Sequence, residues 1–356
     1  MEKKYPVAVV GNMQALNVLT PAFQALPDYE VVALCGRNEL AIRSAAAQMG
    51  VFRCYSDWKS LAEDKDIEVV ALALPAKMQA EAAVQLAAAG KHLFCEKPLA
   101  ADLAGAQAVC DAVAANRRRA TVNFGFRMVE AFRDFHTVVH SGLLGAPKLV
   151  VGEWLLSSRS DPALTWNWKS DERLGGGTLN LMASHVLDYL GWCFGDLGKI
   201  RLQTATLVPF RPEAESGRSK KVTADDTCNF LLELAPAVSA SITISTALPV
   251  AQGHRLRAWF EKGLLEVANA PGDDYQDGFK LFFQPAKGVR PELAAAVKNA
   301  ARFSRMEACR PGRVEVTRRV AEEFARVLGG RENHAPTLTA ALQVQAWMEH
   351  ARQLGW

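Results

Sequence analysis

Lys91-His92-Leu93-Phe94-Cys95-Glu96-Lys97-Pro98 is a short apolar run that ends in a charged pair and a proline. A carboxylate and an ammonium at the end of a buried strand are costly to desolvate, so such a pair marks a place with a chemical task. Lys97 is the first candidate for that task. The run itself is one member of a repeated strand-and-helix pattern, and the pattern decides the fold.

Upstream, apolar runs at 7–10, 31–35 and 67–74 read as buried strands, and 120–124 adds a last one downstream. Helical patterns separate them. The first carries Leu16, Leu19, Phe23 and Leu26 as its apolar stripe, with Pro21 as a bend. Others cover 39–49, 77–89 and 102–116, and Asp57 is placed to cap a short helix over 58–63. Strands alternating with helices imply parallel pairing through right-handed crossovers. Continuous apolar strands imply a doubly wound sheet covered on both faces. Ligands of such sheets lie beyond the carboxyl ends of the strands. Gly11, Gly36, Leu74-Pro75 and Glu96-Lys97 all fall at such ends.

The loop after the first strand is Gly11-Asn12-Met13-Gln14-Ala15-Leu16. A dinucleotide fingerprint would read Gly-x-Gly-x-x-Gly, and only its first glycine is present. The helix N-terminus still offers N–H groups and a favourable dipole to phosphate, and an ordinary strand-to-helix turn fits the same residues. The second strand ends in Cys35-Gly36-Arg37-Asn38, without the acid that binds a ribose 2′-hydroxyl. Arg37 can pair with a 2′-phosphate or lie on an adenine, or be a surface arginine. On this reading NADP(H) is favoured over NAD(H).

The alternation stops after Phe124. The expected boundary separates a dinucleotide-binding domain at 1–124 from an α+β domain at 125–356, whose last helices can pack back on the first domain. Helices are expected at 131–140, 178–194, 316–328 and 339–354. Strand-like runs at 148–156, 200–208, 227–234, 238–246, 255–260, 264–267 and 279–283 predict an open, mostly antiparallel sheet. Residues 211–223 read as a mobile polar loop. Leu181, His185 and Asp188 share one helical face behind Gly175-Gly176-Gly177, and the loop before the glycines is aromatic, with Trp166 and Trp168-Lys169.

A net charge of +3 gives no footprint for nucleic acid or a membrane surface. The seven cysteines include no C-x-x-C pair, which argues against a zinc site or a disulfide framework and for a reducing cytoplasm. Residues 1–6 lack the apolar core of a secretory signal, and no run approaches the roughly 18 apolar residues of a membrane span.

Two motifs together carry a resemblance. Ala89-Gly90-Lys91-His92-Leu93-Phe94-Cys95-Glu96-Lys97-Pro98-Leu99 and the later glycine run with His185-Val186-Leu187-Asp188 resemble the Gfo/Idh/MocA family of oxidoreductases along nearly the whole chain. The resemblance implies a Rossmann domain, a C-terminal α+β domain and association into homodimers or homotetramers. It implies that Lys97 hydrogen-bonds the reacting oxygen and that His185 acts as acid/base. Glu96 would lie near the nicotinamide, Pro75 matches the proline after the fourth strand, and Gln79 stands where relatives usually have a histidine. Gly11, Asn12, Met13, Gln14, Gly36, Arg37 and Leu74 complete the expected cofactor contacts. Arg127, Trp168, Lys169 and Asn180 would join His185 around the substrate. Leu181 occupies the place of an aspartate that often precedes the histidine by one turn.

The function expected is hydride transfer to or from a polyhydroxylated carbonyl or alcohol, a sugar derivative, with no metal. Two other readings fit the same residues: a binding or regulatory protein without redox turnover, and a lyase or cyclase using the same pocket.

Overall fold

A computed structural model describes residues 4–234, 238–270, 278–301 and 312–354. Cys309 lies outside them. The chain forms two compact units. The first comprises residues 1–125 with 173–175 and 313–345; the second comprises 126–172, 176–312 and 346–356.

In the first unit six strands pair in parallel: β1 (Tyr5–Gly11), β2 (Tyr29–Cys35), β3 (Arg53–Tyr55), β4 (Val69–Ala73), β5 (His92–Cys95) and β6 (Ala120–Val122). Their order is β3-β2-β1-β4-β5-β6, a doubly wound arrangement. The central strands are Val-, Ala- and Leu-rich because both faces are covered; Val69, Val70, Ala71 and Leu72 are fully buried. Phe23 and Phe94 meet edge to face at 5.1 Å, and Phe324 of the helix Arg313–Leu328 reaches Phe94 at 6.2 Å. Each such buried ring contributes roughly 2–3 kcal/mol. The Tyr29 hydroxyl donates to the Ala321 carbonyl at 2.8 Å, fixing that helix on the sheet.

Local chemistry sets the helix ends. Asn38 accepts the Ala41 N–H at 3.0 Å and starts the helix Glu39–Met49, and Gly50, at φ 70°, stops it. The bend expected at Pro21 is met differently. Residues Ala15–Leu19 form a π turn, which widens the helix before Pro21 enters the first turn of Thr20–Gln24. There its missing N–H costs little.

In the second unit the strands are β7 (Pro147–Leu155), β8 (Leu197–Ala205), β9 (Phe210–Pro212), β10 (Ser219–Lys221), β11 (Thr227–Leu234), β12 (Val238–Ser245), β13 (Gly253–Phe260), β14 (Gly263–Ala268) and β15 (Lys280–Pro285). Seven of them form a sheet in the order β15-β14-β13-β7-β12-β11-β8. Only β7 and β12 run parallel; every other neighbouring pair is antiparallel. Burial alternates along β11 to β13, with one face on the core and one open, where Leu149, Leu231 and Phe282 are exposed. The helix Glu130–His140 packs on β14, β15 and the helix Ser184–Phe194.

Two elements differ from the sequence pattern. The segment 211–223 is not simply a loop, because β9 and β10 pair as a hairpin and Arg211 is buried. Its guanidinium donates to the carbonyls of Arg159 (2.6 Å) and Asp161 (2.8 Å), contacts that no local periodicity reveals. The helix expected at 178–194 is a π turn, Leu179–Ala183, followed by an α-helix. Side chains bond carbonyls in and just before the turn: Ser184 Oγ donates to the Asn180 carbonyl at 2.6 Å and Asn180 Nδ2 to that of Gly176 at 3.1 Å.

Candidate active site

In the first unit, the strand ends crowd together at their backbones. Gly11 has φ 137°, and a Cβ there would lie 2.4 Å from the Ala73 carbonyl oxygen of β4. A Cβ on Gly36 would lie 2.9 Å from the Gly11 oxygen. Both glycines are therefore required by close approach. Beyond Gly11 a helical run spans residues 13–24, with Asn12, Met13 and Gln14 at its open end and Met13 72% exposed. Arg37 is exposed, and Leu74 and Pro75 are half-buried.

Glu96 is buried at the end of β5. Its Oε1 accepts from Gln14 Nε2 at 2.9 Å and Asn123 Nδ2 at 2.8 Å, and Oε2 from the Lys97 N–H at 3.3 Å. Asn123 Nδ2 also donates to Thr317 Oγ1 at 3.1 Å. Neutral donors thus hold the carboxylate in place. Gln79 is buried, and its amide nitrogen donates to the carbonyls of Glu96 (2.5 Å) and Pro98 (3.1 Å). The amide expected to face a cofactor instead fixes the backbone on both sides of Lys97. Lys97 is half-buried, and the Lys97–Pro98 peptide is cis.

In the second unit, His185 is buried within a cluster of rings. Phe126 lies edge to face with it at 5.0 Å and Trp154 is 6.3 Å away. Behind them His254 stacks on Trp154 at 4.3 Å, and its Nε2 is 2.9 Å from the Tyr189 hydroxyl. Burial drives the His254 pKa down to about 3 and that of Tyr189 well above its ordinary value.

Arg127 and Asp188 form a bidentate ion pair, Nε to Oδ2 at 2.9 Å and a terminal nitrogen to Oδ1 at 2.6 Å. Burial pushes the Asp188 carboxyl above its ordinary value, with Arg127 pulling the other way. Burial favours loss of the Arg127 proton, but Asp188 outweighs it and the guanidinium pKa is raised. Arg127 was expected at the substrate; the structure places it against Asp188, with its guanidinium 5.7 Å over Trp192. Asn180 is likewise engaged, because its Oδ1 accepts from Arg352 at 2.7 Å. Trp168 is half-buried and Lys169 exposed on the loop before the glycines.

That glycine run has a reason the sequence pattern did not show. A Cβ on Gly176 would meet the Lys169 carbonyl at 2.6 Å, and one on Gly177 would meet Asp225 Oδ1 at 2.4 Å. Asp225 Oδ2 accepts the Leu179 N–H at 2.8 Å at the start of the His185 segment. Burial lifts the Asp225 pKa to about 6, against its backbone hydrogen bonds. Asp225 was missed because nothing in its own stretch sets it apart from Asp226.

Comparison with known proteins places the chain. Residues 5–124 match the family model "Oxidoreductase family, NAD-binding Rossmann fold", and residues 132–266 match "GFO/IDH/MocA C-terminal domain". The chain belongs to the Gfo/Idh/MocA family and is an oxidoreductase. An uncharacterized oxidoreductase of Synechocystis sp. is 29% identical over 98% of this chain and 93% of its own length. Levoglucosan dehydrogenase of Pseudarthrobacter phenanthrenivorans is 33% identical over 54% of this chain and 49% of its own length. A solved structure of levoglucosan dehydrogenase with NADH and L-sorbose superposes with a TM-score of 0.83, at 21% identity, over 99% of this chain and 96% of that one.

These findings correct one expectation. NADP(H) was favoured because Gly36 replaces an acid and Arg37 follows it. The matching family model is NAD-binding, and the levoglucosan dehydrogenase complexes hold NADH. Gly36 faces the Gly11 carbonyl so closely that no side chain fits, so the missing acid reports packing and not cofactor choice. Among the described residues no helix is long and apolar enough to cross a membrane, and no group of three or more His, Cys, Asp or Glu side chains could hold a metal ion.

Proposed function

We propose that this protein transfers hydride between NAD(H) and a polyhydroxylated carbonyl or alcohol of the sugar class. The observation that carries the proposal is Lys97, set at the end of β5 between a carboxylate held by neutral amides and a backbone pinned by Gln79. The residues fit a dinucleotide: Gly11 makes the tight turn from β1 into the open end of a helical run, and such an end favours phosphate. Bound NAD(H) supplies the hydride donor or acceptor at its nicotinamide.

The chain supplies the rest. The Lys97 ammonium hydrogen-bonds the reacting oxygen and stabilises negative charge on it. Gln14 and Asn123 hold the Glu96 carboxylate in place beside Lys97. His185, shielded from water by Phe126 and Trp154, delivers or accepts the hydroxyl proton. Trp168 offers its ring to an apolar sugar face. Levoglucosan dehydrogenase and the inositol 2-dehydrogenases of Salmonella, 36% identical over 35% of this chain, are named for substrates of this class.

NADH binding, followed by nicotinamide fluorescence, and turnover of a panel of sugars and polyols test the proposal. Lys97→Ala is expected to lower turnover by about 100-fold or more while NADH affinity stays within a few-fold. Unchanged turnover removes Lys97 from its role, and no saturable NADH binding sinks the proposal.

A further inference from the structure

Arg211 and Arg159, guanidinium groups of the second unit withdrawn from the surface, have no carboxylate within ion-pair distance among the described residues. Arg211 is 2% exposed, and its terminal nitrogens donate to the backbone carbonyls of Arg159 and Asp161, while its Nε is buried with no partner among the described residues. Arg159 is half-buried, and one terminal nitrogen donates to Ser170 Oγ at 3.0 Å. Burial and then the neighbouring Arg211 push the Arg159 pKa down, with Asp226 pulling the other way.

Asp226 does not neutralise the pair by contact. Its oxygens accept the N–H groups of Leu207 (2.8 Å) and Val208 (2.9 Å), and Thr227 Oγ1 donates at 3.3 Å. Asp161 is exposed, and its Oδ1 accepts the Ala163 N–H. The carboxylate that acts on Arg159 is therefore already engaged elsewhere, and Arg211 is held by carbonyls alone among the described residues. Burying an uncompensated guanidinium is unfavourable, and a bound anion relieves it. Arg159 is the one of the two with solvent access, so an incoming anion meets it first.

The position has a consequence for substrate. Ser170, which holds the Arg159 guanidinium, directly follows Trp168 and Lys169, the residues expected to contact a sugar. Ser170 is itself fixed, since its carbonyl accepts the N–H groups of Thr223 and Ala224. Arg127, the other arginine expected at the substrate, is occupied by Asp188.

We infer that Arg159, positioned by Ser170 and backed by Arg211, binds an oxyanion group on the substrate, so that the preferred substrates are acidic sugars. This rests on the sugar reading of the site. Carboxylate and phosphate share the chemistry a guanidinium recognises, and the experiment separates them.

The test measures binding of D-glucose, D-glucuronate and D-glucose 6-phosphate to the protein with NADH present, by calorimetry, alongside turnover of each. Glucuronate or glucose 6-phosphate is expected to bind about 30-fold more tightly than glucose, the value of one charge-assisted contact. The tighter of the two identifies the oxyanion. Arg159→Gln is expected to remove that advantage and Arg159→Lys to restore part of it. Ser170→Ala, which keeps the charge but frees it, should lower the advantage severalfold and serves if the arginine variants do not fold. Equal binding of all three sugars, or an acidic-sugar advantage that survives Arg159→Gln, overturns the inference. Turnover of neutral sugars without acidic preference overturns it alone, whereas acidic-sugar binding without any turnover leaves it standing and overturns the hydride-transfer proposal.

Discussion

Replacing Arg127 by methionine is expected to destabilise the fold and not simply weaken substrate binding. The side chain of Asp188 is 1% exposed and that of Arg127 15%, and two short hydrogen bonds join them. Arg127→Met leaves a buried carboxylate without its cation, a loss of about 3–5 kcal/mol. For a domain of this size that lowers the melting temperature by about 10 °C or more. The loss depends on pH. Burial already raises the Asp188 pKa above its ordinary value, and removing Arg127 raises it further. A group whose folded pKa exceeds its unfolded one opposes folding as pH rises past the unfolded pKa, so Arg127→Met should be weaker at pH 8 than at pH 5. Arg127→Met/Asp188→Leu removes both charges and should recover most of the stability. Thermal and urea unfolding at both pH values, with steady-state kinetics below the transition, decide it. An Arg127→Met protein with wild-type stability and a raised KM would refute the reasoning and return Arg127 to the substrate.

Two further predictions concern buried titratable groups. His254 is neutral in the fold because burial lowers its pKa to about 3, so its contribution is complete above about pH 6.5 and fades as pH falls toward 3. His254→Gln should flatten the pH dependence of unfolding free energy between pH 7 and 4, by at most about 3 kcal/mol. Parallel curves for the two proteins would exclude His254 as the source. Asp225, lifted to about 6, has the opposite sign: its penalty is absent below about pH 4 and full above about 6. Asp225→Asn keeps an oxygen for the Leu179 N–H and should stabilise the protein at pH 8, by up to roughly 3 kcal/mol, and not at pH 4. A gain of equal size at both pH values would refute the assignment.

What the chain discloses before folding follows from the range of its interactions. The strand and helix pattern of residues 7–124 is local, and five of the six parallel strands appear where apolar runs stand; β3, Arg-Cys-Tyr at the sheet edge, has no apolar run to mark it. Glu96-Lys97-Pro98 is legible because charge at a strand end is unusual in any context. The Arg127–Asp188 pair spans 61 residues, and the ring cluster joins Phe126, Trp154, His185 and His254 from four separate elements. Helical spacing puts His185 and Asp188 on one face, as expected, but says nothing of which partner each meets. The hairpin at Phe210–Lys221 looked like a loop because its order comes from Arg211 and from Trp166, which bonds the Lys221 carbonyl at 3.1 Å and lies 3.7 Å beneath the Lys220 ammonium. Gly36 misled for a related reason. A position read as a choice of ligand is a constraint of backbone packing.

That constraint limits how this enzyme can be redesigned. A common way to alter which nicotinamide coenzyme such a fold accepts is to exchange the residue that ends the second strand. Here a side chain at Gly36 would drive into the Gly11 carbonyl at 2.9 Å and into Ile42, and Gly11 is itself wedged against β4. Strain at one strand end would pass to its neighbours and disturb the Gly11 turn. Redesign of coenzyme choice must therefore begin one residue later, at exposed Arg37, where side chains can be exchanged without moving the sheet.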